Sequence, residues 1–184
     1  MTRIIAGTLK GRNLVVPAGR DVRPTTDRMR ERIFSMLLHG RYPDMKGANV
    51  LDLYAGTGAL GLEALSRGAA RAVFVENARA SIAAIKENIK TLRVEDETEV
   101  RALNASLLPT SQMPFDIIFM DPPYNMGLVE PTLTALIEGQ WLSENGVIVC
   151  ELSVDDNSVI PAGLDIMDDR KQGQQRILFL QKSI

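Results

Sequence analysis

The sequence predicts an α/β fold: a mostly parallel seven-stranded sheet with one antiparallel strand, preceded by a β-hairpin and a helix. Three observations predict it. Short apolar runs of strand length alternate with amphipathic helical stretches, the pattern of a parallel sheet built from βαβ units. A glycine-rich turn, Ala55-Gly56-Thr57-Gly58-Ala59-Leu60-Gly61, joins the first such run to a helix in Rossmann-like fashion. The last two runs flank the turn Lys171-Gln172-Gly173-Gln174, and that closing hairpin makes one strand antiparallel.

Taken in order, Arg3-Ile4-Ile5-Ala6-Gly7 and Asn13-Leu14-Val15-Val16-Pro17 are short strand candidates. Thr8 to Arg12 between them carries Lys10-Gly11, so a hairpin with a basic tip is expected. A polar loop, Ala18 to Arg23, precedes Pro24-Thr25-Thr26-Asp27, which opens a helix with several candidate N-caps. Ile33, Phe34, Leu37 and Leu38 share one face of that helix, and Arg28, Glu31 and Arg32 fall largely on the others. The sheet strands are then Ala48 to Tyr54, Arg71 to Val75, Thr98 to Leu103, Phe115 to Met120, Val147 to Leu152, Leu164 to Met167 and Arg176 to Leu180. Helices run from the glycine turn to Arg67, from Ala78 to Leu92 and from Leu128 to Glu138. The stripe Ile82, Ile85, Ile89 and Leu92 is core packing.

At 184 residues one α/β domain with a sizeable core is expected. No apolar run approaches membrane-spanning length and no signal peptide is evident, so a cytoplasmic protein is expected. The single cysteine, Cys150, lies in a strand-like run and reads as a core thiol; the single histidine, His39, ends a helix. No His/Cys cluster is spaced for a metal, and none is expected. The net charge of −2 hides an asymmetry: residues 1–46 carry ten Lys/Arg and four Asp/Glu, while residues 47–184 carry eleven and nineteen. A basic arm of +6 on an acidic body of −8 suggests a polyanionic partner. Residues 1–46 are accordingly expected to form a basic arm that contacts a nucleic acid, and residues 47–184 the main domain.

The chemistry is concentrated in Asp121-Pro122-Pro123-Tyr124, just past the carboxyl end of the Phe115 to Met120 strand. In open α/β sheets that edge is where ligands bind. The prolines fix the backbone and remove two N–H donors. A carboxylate and backbone carbonyls accept the two hydrogens of an amine, and Tyr124 stacks on the ring that bears it. Upstream, Gly56, Gly58 and Gly61 form G-x-G-x-x-G, which also fits a dinucleotide site. Asp52 before the turn and Glu76 at the end of the second strand, an acceptor for ribose hydroxyls, favour S-adenosylmethionine when read beside the amine motif.

These segments together resemble the RsmD family of bacterial small-subunit (16S) ribosomal RNA guanine-N2 methyltransferases. The resemblance rests on Arg3-Ile4-Ile5-Ala6-Gly7 with Lys10-Gly11-Arg12, on Arg23-Pro24-Thr25-Thr26-Asp27-Arg28 with Arg30-Glu31, on Asp52-Leu53-Tyr54-Ala55-Gly56-Thr57-Gly58 followed by Glu63-Ala64-Leu65-Ser66-Arg67-Gly68, and on Asp121-Pro122-Pro123-Tyr124. It implies a class I S-adenosylmethionine-dependent methyltransferase acting on small-subunit ribosomal RNA or a 30S particle, as a monomer. Asp121, Pro122 and Tyr124 are the implied catalytic residues. Asp52, Ala55, Gly56, Gly58, Glu76, Asn77, Asn104, Ala105 and Asp121 would bind the cofactor. Arg3, Lys10, Arg12, Arg23, Thr25 and Arg28 would hold the RNA. Asn104 stands where such enzymes often carry an Asp that contacts the adenine amine; its side-chain oxygen can still accept that bond. Three alternatives share parts of this pattern: a DNA adenine-N6 or cytosine-N4 methyltransferase, a non-catalytic RNA-binding assembly factor, and a protein glutamine methyltransferase.

Overall fold

The computed structural model describes residues 2–17 and 27–184. The expected loop from Ala18 to Arg23 and the opening Pro24-Thr25-Thr26 lie outside the described residues. The strands are β1 (Thr2–Arg3), β2 (Asn13–Leu14), β3 (Asn49–Leu53), β4 (Arg71–Glu76), β5 (Thr98–Ala102), β6 (Phe115–Met120), β7 (Leu142–Ser153), β8 (Leu164–Gln172) and β9 (Gln175–Lys182). The helices are α1 (Asp27–His39), α2 (Ala59–Ser66), α3 (Arg79–Leu92) and α4 (Val129–Glu138).

β3 to β9 form one seven-stranded sheet in the order β5-β4-β3-β6-β7-β9-β8. β5, β4, β3, β6 and β7 are parallel, and β9 runs antiparallel to both its neighbours. The chain moves outward from β3 through β4 to β5, then returns to the other side of β3 with β6. That reversal opens a crevice at the carboxyl ends of β3 and β6, where a ligand can sit.

Alternation along the strands builds two covered faces. On one, Leu51, Leu53, Ile118, Met120, Ile148 and Cys150 pack with Val129, Leu133 and Leu136 of α4. On the other, Val50, Ile117, Phe119, Val149 and Phe179 pack with Met29, Ile33, Phe34 and Leu37 of α1. Ala72 and Phe74 continue the second face against Ile85, Ile89 and Leu92 of α3, and Ile4 and Leu14 of the hairpin join them. Each fully buried side chain of this size contributes about 1.5–3 kcal/mol. Cys150 is fully buried, as expected of a core thiol, and His39 is exposed at the end of α1.

The hairpin differs from its sequence reading. Each strand shrinks to two residues, paired Thr2 with Leu14 and Arg3 with Asn13. The neighbouring backbone groups are captured by side chains of the body instead. Glu63 accepts the N–H groups of Ile5 and Ala6 at 2.8 and 3.0 Å, and Ser66 accepts that of Leu9 at 2.9 Å. Asn88 accepts the Val15 N–H at 2.7 Å and donates to the Val15 carbonyl and to that of Thr57. The arm is therefore anchored on α2 and α3. Arg30, one of the arm's ten cations, is fully buried. It pairs with Asp27 at 2.7 Å and lies 3.8 Å from the buried carboxylate of Glu63. Its charge belongs to the fold, and the exposed basic surface is smaller than the count along the chain suggests.

Candidate active site

The strand register sets the site. Leu53 lies beside Val75 and beside Met120, and Met120 lies beside Cys150. The residues that follow these four along their strands are Tyr54, Glu76, Asp121 and Glu151, which form a row along one sheet edge. All four line a cavity of about 730 Å³, with Ala55, Gly56, Thr57, Asn77, Ser81, Asn104, Pro122, Pro123, Tyr124 and Met126 among the other lining residues.

In the half over β3 and β4, side-chain oxygens are engaged by nearby backbone. The Glu76 carboxylate accepts the Gly56 N–H at 3.0 Å through Oε2, and the Asn77 and Ala78 N–H groups at 2.9 Å through Oε1. A carboxylate offers about four acceptor sites, so room remains for a ribose hydroxyl. Gly56 has φ +58°, a left-handed conformation that suits glycine and brings bare backbone to the cavity wall. Asp52 is 2% exposed and accepts the Gly61 N–H at 2.9 Å. Burial pushes its carboxyl up to about 8; the Gly61 bond opposes the rise and the negative charge of Glu76 adds to it. Gly61 serves packing: a Cβ there would come within 2.5 Å of the Phe74 ring. Asn104 lines the cavity and uses its side-chain oxygen to accept from the Ser106 N–H and hydroxyl at 3.0 and 2.9 Å.

In the half over β6 and β7, Asp121 is followed by Pro122 and Pro123, which carry no N–H. The Tyr124 hydroxyl donates to Glu151 Oε1 at 3.0 Å, and the Gln175 side-chain amide donates to the same oxygen. Burial, followed by the nearby negative charge of Glu151, raises the Tyr124 phenol well above its usual range. The hydroxyl therefore stays protonated and fixes the ring edge.

Of the candidate cofactor and catalytic residues, Asp52, Ala55, Gly56, Glu76, Asn77, Asn104, Asp121, Pro122 and Tyr124 line one cavity. Gly58 and Ala105 do not. Gly58, at φ +78°, closes the turn by donating to the Ala55 carbonyl at 2.7 Å, and Ala105 is 3% exposed in the core. The candidate RNA residues Arg3, Lys10, Arg12 and Arg28 are all exposed, with Arg3 near Asp27 at 3.3 Å. Arg23 and Thr25 lie outside the described residues. The sequence reading missed Thr2, Ser81, Met126 and Glu151, among others, as lining residues. Glu151 alone had a local signal, an acid in an apolar strand-like run. Among the described residues no group of His, Cys, Asp and Glu is arranged to hold a metal ion, and no helix is long and apolar enough to cross a membrane.

A seven-stranded sheet in this order, with a glycine turn and an acid-lined cavity at its switch point, is the class I methyltransferase fold. The chain belongs to the RsmD family: the family described as "Conserved hypothetical protein 95" matches residues 2–181. It is 39% identical over 173 residues to the ribosomal RNA small subunit methyltransferase D of Escherichia coli (strain K12), spanning 94% of this chain and 85% of that one. A solved E. coli structure named as methyltransferase yhhF superposes with a TM-score of 0.84 at 38% identity, covering 98% of this chain and 97% of that one. The ribosomal protein L11 methylase of Lactobacillus delbrueckii subsp. bulgaricus, at 19% identity and a TM-score of 0.64, covers 76% of this chain and 72% of that chain; it shares the fold alone.

Proposed function

We propose that this chain transfers a methyl group from S-adenosylmethionine to the exocyclic N2 amine of a guanine in small-subunit ribosomal RNA. The observation that carries the reading is that Asp121, Pro122 and Tyr124 share one cavity with Gly56 and Glu76. An amine receptor and a nucleoside receptor thus face the same space. The residues fit the cofactor: Glu76 and Asp121 suit a ligand of positive charge, Gly56 and Glu76 suit its ribose, and buried Asp52 holds the glycine turn through the Gly61 N–H. When bound, S-adenosylmethionine supplies an electrophilic methyl group. Tyr124 holds the target ring by stacking. Asp121 and the Pro122 carbonyl accept the two amine hydrogens, which directs the nitrogen lone pair away from the ring and toward the methyl carbon. The carboxylate would also stabilise the positive charge that develops on nitrogen, which sheds one of its protons once the methyl has left sulfur and the thioether departs. Orientation of this kind is worth up to about 7–11 kcal/mol in favourable cases. The base leaves its stack to enter, which costs roughly a few kcal/mol. Exposed Lys10, Arg12 and Arg28 would hold phosphates, which position RNA without reading sequence. The relative named as a small-subunit ribosomal RNA methyltransferase supports this substrate class.

The test is methyl transfer from labelled S-adenosylmethionine to three acceptors in parallel: naked ribosomal RNA, assembled small subunits and duplex DNA. The modified base is then mapped. Label on N2 of a guanine in small-subunit RNA, free or assembled, is the expected result. Label on DNA alone would mean an adenine or cytosine methyltransferase. RNA binding without any transfer would mean an assembly factor.

A further inference from the structure

We propose that Glu151 reads the N1–H of the target guanine and so makes the cavity select guanine over adenine and cytosine. This rests on the reading that the acceptor is a guanine N2 amine.

Asp121 and Pro122 do not choose a base. A carboxylate and a carbonyl accept the hydrogens of any exocyclic amine, whether guanine N2, adenine N6 or cytosine N4. Discrimination has to come from the ring position beside the amine. In guanine that neighbour is N1–H, a donor. In adenine it is N1 and in cytosine N3, both acceptors. A second acceptor next to Asp121 therefore fits guanine and repels the other two.

Glu151 is that second acceptor. The pairing of Met120 with Cys150 puts the next residues, Asp121 and Glu151, at the same level on adjacent parallel strands. Both line the cavity. Glu151 is only 4% exposed, a burial that a carboxylate tolerates when it is well hydrogen-bonded. Its placement is enforced from two sides, by the Tyr124 hydroxyl at 3.0 Å and by the Gln175 amide, itself 8% exposed on β9. The stacking ring and the carboxylate are thereby one unit, so a base stacked on Tyr124 brings an edge to Glu151. The β9 strand acquires a role in the site through Gln175, which bonds Glu151 without itself lining the cavity.

The test uses 2-aminopurine, which keeps the N2 amine of guanine and lacks the N1–H. Small-subunit RNA is prepared with guanosine or 2-aminopurine riboside at the mapped position, and kcat/KM is measured for wild type, Glu151→Gln and Glu151→Asp. Wild type should prefer guanine strongly. Glu151→Gln should lose roughly 10- to 100-fold on guanine, the range of one charged hydrogen bond, and change less than about threefold on 2-aminopurine, so the preference collapses. Differences in amine reactivity cancel because both enzymes meet both bases. S-adenosylmethionine affinity, which reads the other half of the cavity, checks the fold; if the Gln variant fails it, Glu151→Asp, which keeps the charge and withdraws it by one methylene, carries the same comparison. Equal losses on both bases would mean that Glu151 only supports Tyr124, and an unchanged preference would mean that it reads nothing; either overturns the inference. A wild-type enzyme that leaves guanine unmodified would instead overturn the reading beneath it.

Discussion

The two halves of the cavity use their polar side chains differently. Over β3 and β4, Asp52, Glu76 and Asn104 each accept a backbone N–H from within ten residues of themselves or from the glycine turn. Over β6 and β7, Asp121 precedes two prolines with no N–H to give, and Glu151 is held by the side chains of Tyr124 and Gln175. In the first half the acids shape the surrounding loops; on the proposed reading those loops would meet the cofactor, and the acids of the second half would accept from the substrate. Damage to the first should therefore appear in binding and stability, and damage to the second in turnover.

Asp121→Ala should give the largest effect. Loss of a preorganised polar group facing developing charge costs roughly 10²–10³-fold in kcat, and S-adenosylmethionine affinity should stay within a few fold. Asp121→Asn should also be severely impaired, since an amide is the weaker acceptor and can present a donor. Single-turnover transfer beside calorimetric cofactor titration checks this. Near-normal turnover would erase the distinction between the halves. Tyr124→Ala comes next: base stacking is worth ~1–3 kcal/mol, so a loss of about 10- to 100-fold in kcat/KM is expected. Tyr124→Phe keeps the ring and loses only its bond to Glu151, so its loss should be smaller; the reverse order would mean that the hydroxyl, and not the ring, matters most.

On the cofactor side, Glu76→Ala removes an acceptor worth roughly 1.5–3 kcal/mol. It also releases the N–H groups of Gly56, Asn77 and Ala78. Cofactor affinity and melting temperature should fall together, and calorimetry with thermal denaturation reads both. Unchanged affinity would show that the carboxylate serves the loop alone. Asp52 offers a subtler measure. Its folded pKa of about 8 stands above the usual 3.8. Between those values the folded chain holds a proton that the unfolded chain has lost, so its contribution to stability falls as pH rises through that window. Asp52→Asn removes this dependence. Denaturant midpoints taken from pH 5 to pH 8 should decline more steeply for wild type than for the variant.

What was legible in the sequence follows from how local each signal is. The strands β3, β4 and β6 and their helices announce themselves through apolar runs and a glycine turn, all read within a short window. Asp52, Glu76 and Asp121 stand at the ends of those runs, so locating the run locates the acid. An acid in an apolar run marked Glu151, but its place in the site could not be read locally, because it needs the β6–β7 pairing and a partner 24 residues on, Gln175. The anchors of the hairpin were hidden for the same reason: Glu63 and Asn88 act across 58 and 73 residues. Arg30 could have been found. It shares the helical spacing of Ile33, Phe34 and Leu37, which places it on the buried face of α1.

The smallest expected effect lies outside both halves and serves as their control. Lys10 and Arg12 are exposed on the hairpin, and the hairpin is fixed to the body through Glu63, Ser66 and Asn88. Replacing both by Ala leaves those anchors and the cavity untouched, so cofactor affinity and melting temperature should not move. RNA affinity should weaken. If each cation neutralises one phosphate, the log–log dependence of RNA binding on salt should flatten by roughly 0.7–0.9 per contact. Arg30 is buried and Arg3 is drawn toward Asp27, so Lys10 and Arg12 stand beside Arg28, Arg41 and Lys46 as exposed cations among the described residues of the arm. A salt series of RNA-binding titrations on wild type and the double variant measures the slope. An unchanged slope with unchanged affinity would mean that the basic tip only keeps the hairpin soluble, and the RNA would then have to be held elsewhere, by Arg28 or the cavity rim.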